Sequence, residues 1–271
     1  MNKKNSLLSI TLSIALGIAN AQSYTTSFKA EICNCLPQQF ETQKNPNKAI
    51  ETCFQNTLPN YAALIDAEIV EENANIRYQK GQQKRMELMV SFTYEMVNSC
   101  DIYFNKIEEI RELQFNQGKA YITEAKIVEL DKLVAMHPNH GTYLERGRAN
   151  FYLENYSKAE IDVRESIRIY KEMTQQENIA AIYLLAWILE KQERYQKAFQ
   201  LLDEEYKERP IFNTAYFREI ANKKTGGSFK PLKNASNRRI KQDTSKLKNI
   251  KKNASKDDLK KLFKIKGNNK I

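Results

Sequence analysis

The chain has 271 residues, enough for one large domain or two smaller ones with a tail to spare. Only 8 glycines and 6 prolines punctuate it, which argues against a strand-rich fold with its many turns and favours long helices with few connections. The formal charge of +10 is unevenly placed: from Lys223 onward 17 Lys and Arg face three Asp, whereas residues 1–222 hold 26 Lys and Arg against 30 Asp and Glu. The body is therefore mildly acidic, and the basic character sits in the tail.

Taken in chain order, the first signal is an address. Met1–Asn5 holds two lysines, Leu7–Ile18 is apolar, and Ala19-Asn20-Ala21 puts small residues where a signal peptidase inspects the chain. Residues 1–21 thus read as a secretory signal cut after Ala21, and the protein is expected to be exported, either periplasmic or extracellular. The apolar run is shorter than the roughly 20 residues a bilayer span needs, and no later segment is better, so no membrane-spanning helix is expected.

Residues 22–118 read as a cysteine-containing helical domain. Phe28, Ile32, Cys35 and Leu36 form one stripe, in a helix expected to stop at Pro37. A second helix starts near Asn47 and is expected to bend or break at Pro59, followed by the stripe Tyr61, Leu64, Ile65, Ile69 and Val70. A turn or kink is expected around Gly81. Beyond it one stripe runs through Met86, Met89, Val90, Thr93, Met96, Val97 and Cys100 to Phe104, Ile107, Ile110 and Leu113. No period-2 alternation is strong enough for a strand.

Export gives the four cysteines a meaning: Cys33, Cys35, Cys53 and Cys100 predict two disulfides. Cys33 and Cys35 point to opposite flanks of one helix, so they cannot bond to each other without unwinding it. Two pairings are preferred: 33–53 with 35–100, or 33–100 with 35–53. A four-thiolate metal site is the weaker alternative, and the C-x-x-C of a redox motif is missing.

The second half carries a repeat. In "YLERGRANFYLENYSKAEIDVRESIRIY" from Tyr143, Gly147 sits at a helix crossing, Tyr156 just before the next helix, and Ala159 within it. In "IAAIYLLAWILEKQERYQKAFQLLDEEYKERP" from Ile179, Ala186, Tyr195 and Ala198 fall at the same offsets, and Pro210 closes the copy. These segments resemble the tetratricopeptide repeat, a helix-turn-helix unit of 34 residues, as found in exported bacterial proteins that carry such repeats. Ala125–Pro138 reads as a partial copy whose first helix would precede Tyr121, and Phe212–Lys223 as a terminal capping helix. The expected fold is all-α: an N-terminal helical bundle, then a short tetratricopeptide-like solenoid over residues 119–222.

The resemblance implies a concave groove lined by the first helix of each repeat, which accepts a peptide or a partner helix. Carried over by position, the groove residues are Leu144, Arg148, Phe151 and Tyr152 from the first copy. Tyr183, Trp187, Glu190 and Lys191 come from the second. The expected function is that of a scaffold binding an unidentified protein or peptide, not that of an enzyme.

Residues 223–271 form a basic, compositionally disordered tail. Within it Ser255-Lys256-Asp257-Asp258 matches a helix start, followed by Leu259, Leu262 and Phe263 on one face among lysines. This segment suits an anionic envelope surface; nucleic acid is not the partner expected of an exported chain. His137 and His140, in "MHPNHG", have no local acid or cysteine to complete a metal site, and no phosphate loop, G-x-S-x-G or H-E-x-x-H occurs. No catalytic residue, metal or cofactor is expected.

Overall fold

A computed structural model describes residues 6–230, with side chains from Tyr24 onward. The expected signal segment, residues 1–21, falls outside the described side chains, and the tail beyond Lys230 falls outside the described residues. Among the described residues there are ten α-helices and no strand: α1 (Ser6–Thr42), α2 (Pro46–Ala67), α3 (Ala74–Ser99), α4 (Asp101–Ala120), α5 (Glu124–Met136), α6 (His140–Tyr152), α7 (Tyr156–Thr174), α8 (Ile179–Lys191), α9 (Tyr195–Glu208) and α10 (Phe212–Lys224). The fold is all-α. No helix among the described residues is long and apolar enough to cross a membrane.

The first three helices pack because each carries an apolar stripe at helical spacing. Tyr24, Phe28, Ile32 and Leu36 recur every fourth residue along α1 and are buried against Ile50, Phe54 and Tyr61 of α2 and Phe92 and Met96 of α3. Phe28 stacks on Tyr61 at 4.4 Å and meets Phe92 edge-on at 5.2 Å. Local chemistry sets where α2 and α3 begin. The Asn45 side chain accepts from the Asn47 and Lys48 amides, with Pro46 in the first turn, and Asn73 caps α3 in the same way.

The disulfides are Cys33–Cys100 and Cys35–Cys53, one of the two preferred pairings, each with Cα atoms 5.8 Å apart. All four cysteines are consumed, so the thiolate metal site is excluded.

Four expectations about helix boundaries are corrected. Pro37 lies inside α1, which runs on to Thr42 because Phe40, four residues past Leu36, still packs against the core. The helix does not break at Pro59, which lies inside α2, where the buried Tyr61 and Ile65 continue the stripe. Gly81 is no turn: it is buried within α3, and an added Cβ would lie 2.7 Å from the Arg85 guanidinium and 3.2 Å from the Asp66 carboxylate. The long stripe from Met86 to Leu113 is two helices, because Cys100 is extended (φ −136°, ψ 100°) where it bonds to Cys33.

In the second half, α6–α7 and α8–α9 are equivalent hairpins. Their turns match bond for bond at an offset of 39 residues. The Asn155 and Arg194 amides donate to the Asn150 and Leu189 carbonyls, both at 2.9 Å, and Glu154 and Glu193 both adopt a left-handed φ, 63° and 60°. Gly147, Ala159, Ala186 and Ala198 are buried, which lets the helices cross closely. A Cβ at Gly147 would come within 2.7 Å of Val163 Cγ2. Tyr156 and Tyr195 open α7 and α9 and are half-buried, and Pro210 follows the end of α9.

The flanking elements differ from expectation. α5 packs on α6, but α4 does not pair with α5; it crosses instead to α6. α10 forms as expected, yet it is no free-standing end cap. It packs on α9 and on α3, placing Ile220 in the core of the first half and Ala221 in that of the second. Residues 223–230, expected to belong to the tail, pack on the helices before them. Gly226 and Gly227, at φ 77° and 72°, reverse the chain so that Phe229 stacks on Phe199 at 4.0 Å, and Asn222 donates to the Phe229 carbonyl at 2.9 Å.

Candidate partner-binding face

The face carried over from the repeat resemblance is built by α6 and α8, which lie side by side and present their aromatic residues in one direction. Phe151 and Trp187 meet at 5.1 Å, and Phe151 and Tyr152 at 5.4 Å. Five of the eight expected groove residues (Phe151, Tyr152, Trp187, Glu190 and Lys191) therefore converge. Phe151 and Glu190 are buried, and Tyr152, Trp187 and Lys191 are partly covered. α4 of the same chain lies across them.

The contacts from α4 come from residues four and three apart, as one face of a helix requires. Arg111 places its guanidinium 5.1 Å over the Trp187 ring and 2.8 Å from Glu190. Phe115 packs edge-on against Phe151 at 5.1 Å and against Trp187 at 6.4 Å. Gly118 leaves room for Tyr152: a Cβ there would sit 2.2 Å from the ring. At the margins Lys191 sits 4.3 Å over Phe115 and bonds Glu112 at 2.7 Å, and Lys119 pairs with Glu154.

Glu190 is almost fully buried and is held by two cations, Arg111 and Lys224, both at 2.8 Å. Glu108 bonds the same two, at 2.7 Å and 2.5 Å, so two acids and two bases from α4, α8 and α10 close into one knot. Burial alone would raise the Glu108 pKa, but Arg111 and Lys224 outweigh it and hold the carboxyl below its ordinary value. Burial likewise opposes the charge on Arg111, and the Glu190 and Glu108 carboxylates more than compensate, keeping the guanidinium charged.

Two corrections follow. Phe151 is wholly buried and Glu190 nearly so, so neither is a surface contact. The physical reason is that the α6–α8 face is too apolar to stand in water, and the nearest amphipathic helix of its own chain covers it. Tyr183 is drawn away to α10, with its ring 4.8 Å from Phe217 and its hydroxyl 2.8 Å from that of Thr214. Leu144 is half-buried against the second core. Arg148 alone of the eight is exposed, loosely paired with Glu145 at 3.4 Å.

Sequence reasoning missed Arg111, Phe115, Gly118 and Lys224. The signal was present in the recurrence of Ile107, Arg111, Phe115 and Gly118, one helical face with a charge in it, but an arginine inside an apolar stripe does not announce its buried partner. Among the described residues no group of three His, Cys, Asp or Glu side chains is arranged to hold a metal ion. The His140 ring instead packs on Tyr170 at 5.1 Å, and its carbonyl accepts the Ser166 hydroxyl at 2.6 Å. In comparisons with known proteins, no family model, no curated protein and no solved structure matches this chain.

Proposed function

We propose that this chain is an exported, tetratricopeptide-like scaffold that binds a protein partner, and that α6–α9 are its repeat units. The observation that carries this reading is the bond-for-bond equivalence of the two hairpin turns at Glu154 and Glu193, together with small residues at both crossings. Two disulfides support an oxidising compartment, periplasmic or extracellular. With α4 seated over Phe151 and Trp187, the accessible part of the α6–α8 face centres on Arg148, whose planar guanidinium suits a carboxylate or a backbone carbonyl.

The test is capture from the exported fraction by the full chain and by its Arg148→Glu variant, both checked for unchanged thermal unfolding. Loss of a specific partner from the variant supports the reading; an unchanged set of partners rejects this face. Trp187→Ala is a poor probe, since Trp187 lies under Arg111 and against Phe115.

The charge division favours a second reading, in which the basic tail holds the protein on an anionic envelope surface. Sedimentation with anionic lipid vesicles, compared between the full chain and a chain ending at Lys230, separates the two. Salt-sensitive binding only by the full chain supports the tail; equal behaviour of the two rejects it.

A further inference from the structure

On the side of the repeats away from α4, α7 and α9 both pack on α8 and leave an open groove of about 310 Å³ between them. Its floor is apolar, built from Ile167, Ile182, Leu185 and Leu201. Its two walls differ in charge. The α7 wall carries Arg164 and Arg168, each about half-exposed and each bonded to acids of its own helix. The α9 wall carries Glu204 and Glu208, exposed and outside every ion pair formed among the described residues. Their neighbours Asp203 and Glu205 are taken up by Lys207 and Arg209. An apolar floor between a basic and an acidic wall selects an amphipathic helix with opposite charges on its two flanks.

The chain itself contains such a segment, residues 255–266. With helical spacing, Leu259, Leu262 and Phe263 share one face, Lys256, Lys260 and Lys264 line one flank at intervals of four, and Asp258 lies on the other. Glu204 and Glu208 are also four apart, so lysines and glutamates share one axial repeat. The exit point is favourable. The last described residues run beside α9, with Phe229 on Phe199 and Arg218 bridging Asp203 to the Lys230 carbonyl. The connecting residues 231–254 reach roughly 80 Å when extended, against about 21 Å for the whole of α9. Tethering at this length gives an effective concentration on the order of millimolar.

We propose that the segment Ser255–Lys266 docks in cis into the α7–α9 groove, with Leu259, Leu262 and Phe263 on its apolar floor and Lys260 and Lys264 against Glu204 and Glu208. The basic tail is then an internal ligand of the repeats, and any outside partner of this groove competes with it. This site does not involve Arg148, so it stands or falls apart from the α6–α8 face.

Hydrogen exchange read by mass spectrometry on the full, oxidised chain tests it. Amides of residues 259–266 are expected to exchange at least about ten-fold more slowly than those of 241–252 in the same tail. Glu204→Lys with Glu208→Lys, both at exposed sites, should abolish the difference, and adding Lys260→Glu with Lys264→Glu to that chain should restore it. Phe263→Ala should remove the protection without touching the wall charges. Equal exchange of the two tail segments in the unaltered chain overturns the proposal, as does protection that survives the Glu204 and Glu208 reversals. Protection that grows with protein concentration would put the segment in a second copy, and protection that needs anionic vesicles would put it on a lipid surface; either result rejects docking in cis.

Discussion

At the scale of single residues, the molecule is organised by a few polar groups that apolar neighbours have sealed in. Glu190 lies buried between Arg111 and Lys224, and removal of either cation would leave a buried carboxylate short of a partner. Glu108 reports on the same knot. Its pKa is lowered in the folded protein, so its contribution to stability is present above the unfolded carboxylate value of about 4.3 and is lost as pH falls through the lowered value. The thermal midpoint is therefore expected to drop as pH falls below the unfolded carboxylate value of about 4.3, and Glu108→Gln should make that drop shallower. Thermal melts of both proteins across this range check the sign; an identical slope would remove Glu108 from the account. None of this was legible in the sequence, where Glu108 and Arg111 look like an ordinary pair three apart on a helix surface.

At the scale of elements, the covalent links decide which helices act together. Cys35–Cys53 ties α1 to α2, and Cys33–Cys100 ties α1 to the junction from which α4 departs. The loops they close differ, 18 residues against 67. In the chain-entropy model the longer loop is worth about 1 kcal/mol more than the shorter one, so Cys33→Ser with Cys100→Ser should cost more than Cys35→Ser with Cys53→Ser. Denaturant unfolding of the two double variants measures this, and the reverse order would show that strain or packing outweighs loop entropy. The helical stripes and the impossibility of a 33–35 bond were readable from spacing alone. The choice between the remaining pairings was not, because it depends on which flank of α1 faces α2. The continuation through Pro37 and Pro59 was equally hidden, since a proline shows the hydrogen bond it lacks and not the burial that offsets it.

For the whole molecule, the expected division at residue 118 marks a change of sequence character, while packing runs across it. α4 contributes Tyr103 and Ile107 to one core and Phe115 to the other, α10 contributes Ile220 and Ala221 likewise, and Phe217 touches both. Lys223 of α10 bonds Asp101 at 2.7 Å, and Asn98 of α3 donates to Glu219 at 2.5 Å. With two helices shared, the oxidised protein is expected to unfold in one calorimetric transition whose van't Hoff and calorimetric enthalpies agree. Two resolved transitions would show that the halves are independent.

Scarce glycine and proline, apolar stripes at helical spacing, small residues at two matched crossings and an even set of four cysteines were enough to determine an all-helical, disulfide-linked chain with a paired hairpin in its second half. These are local properties, set by what neighbouring residues three and four apart can do. What lies on the α6–α8 face was decided only in three dimensions. Whether an aromatic face stays open or is filled depends on whether another helix of the chain can reach it with matching apolar area and charge. α4 does so with Phe115 and Arg111, and no property of Trp187 or Glu190 taken singly records it.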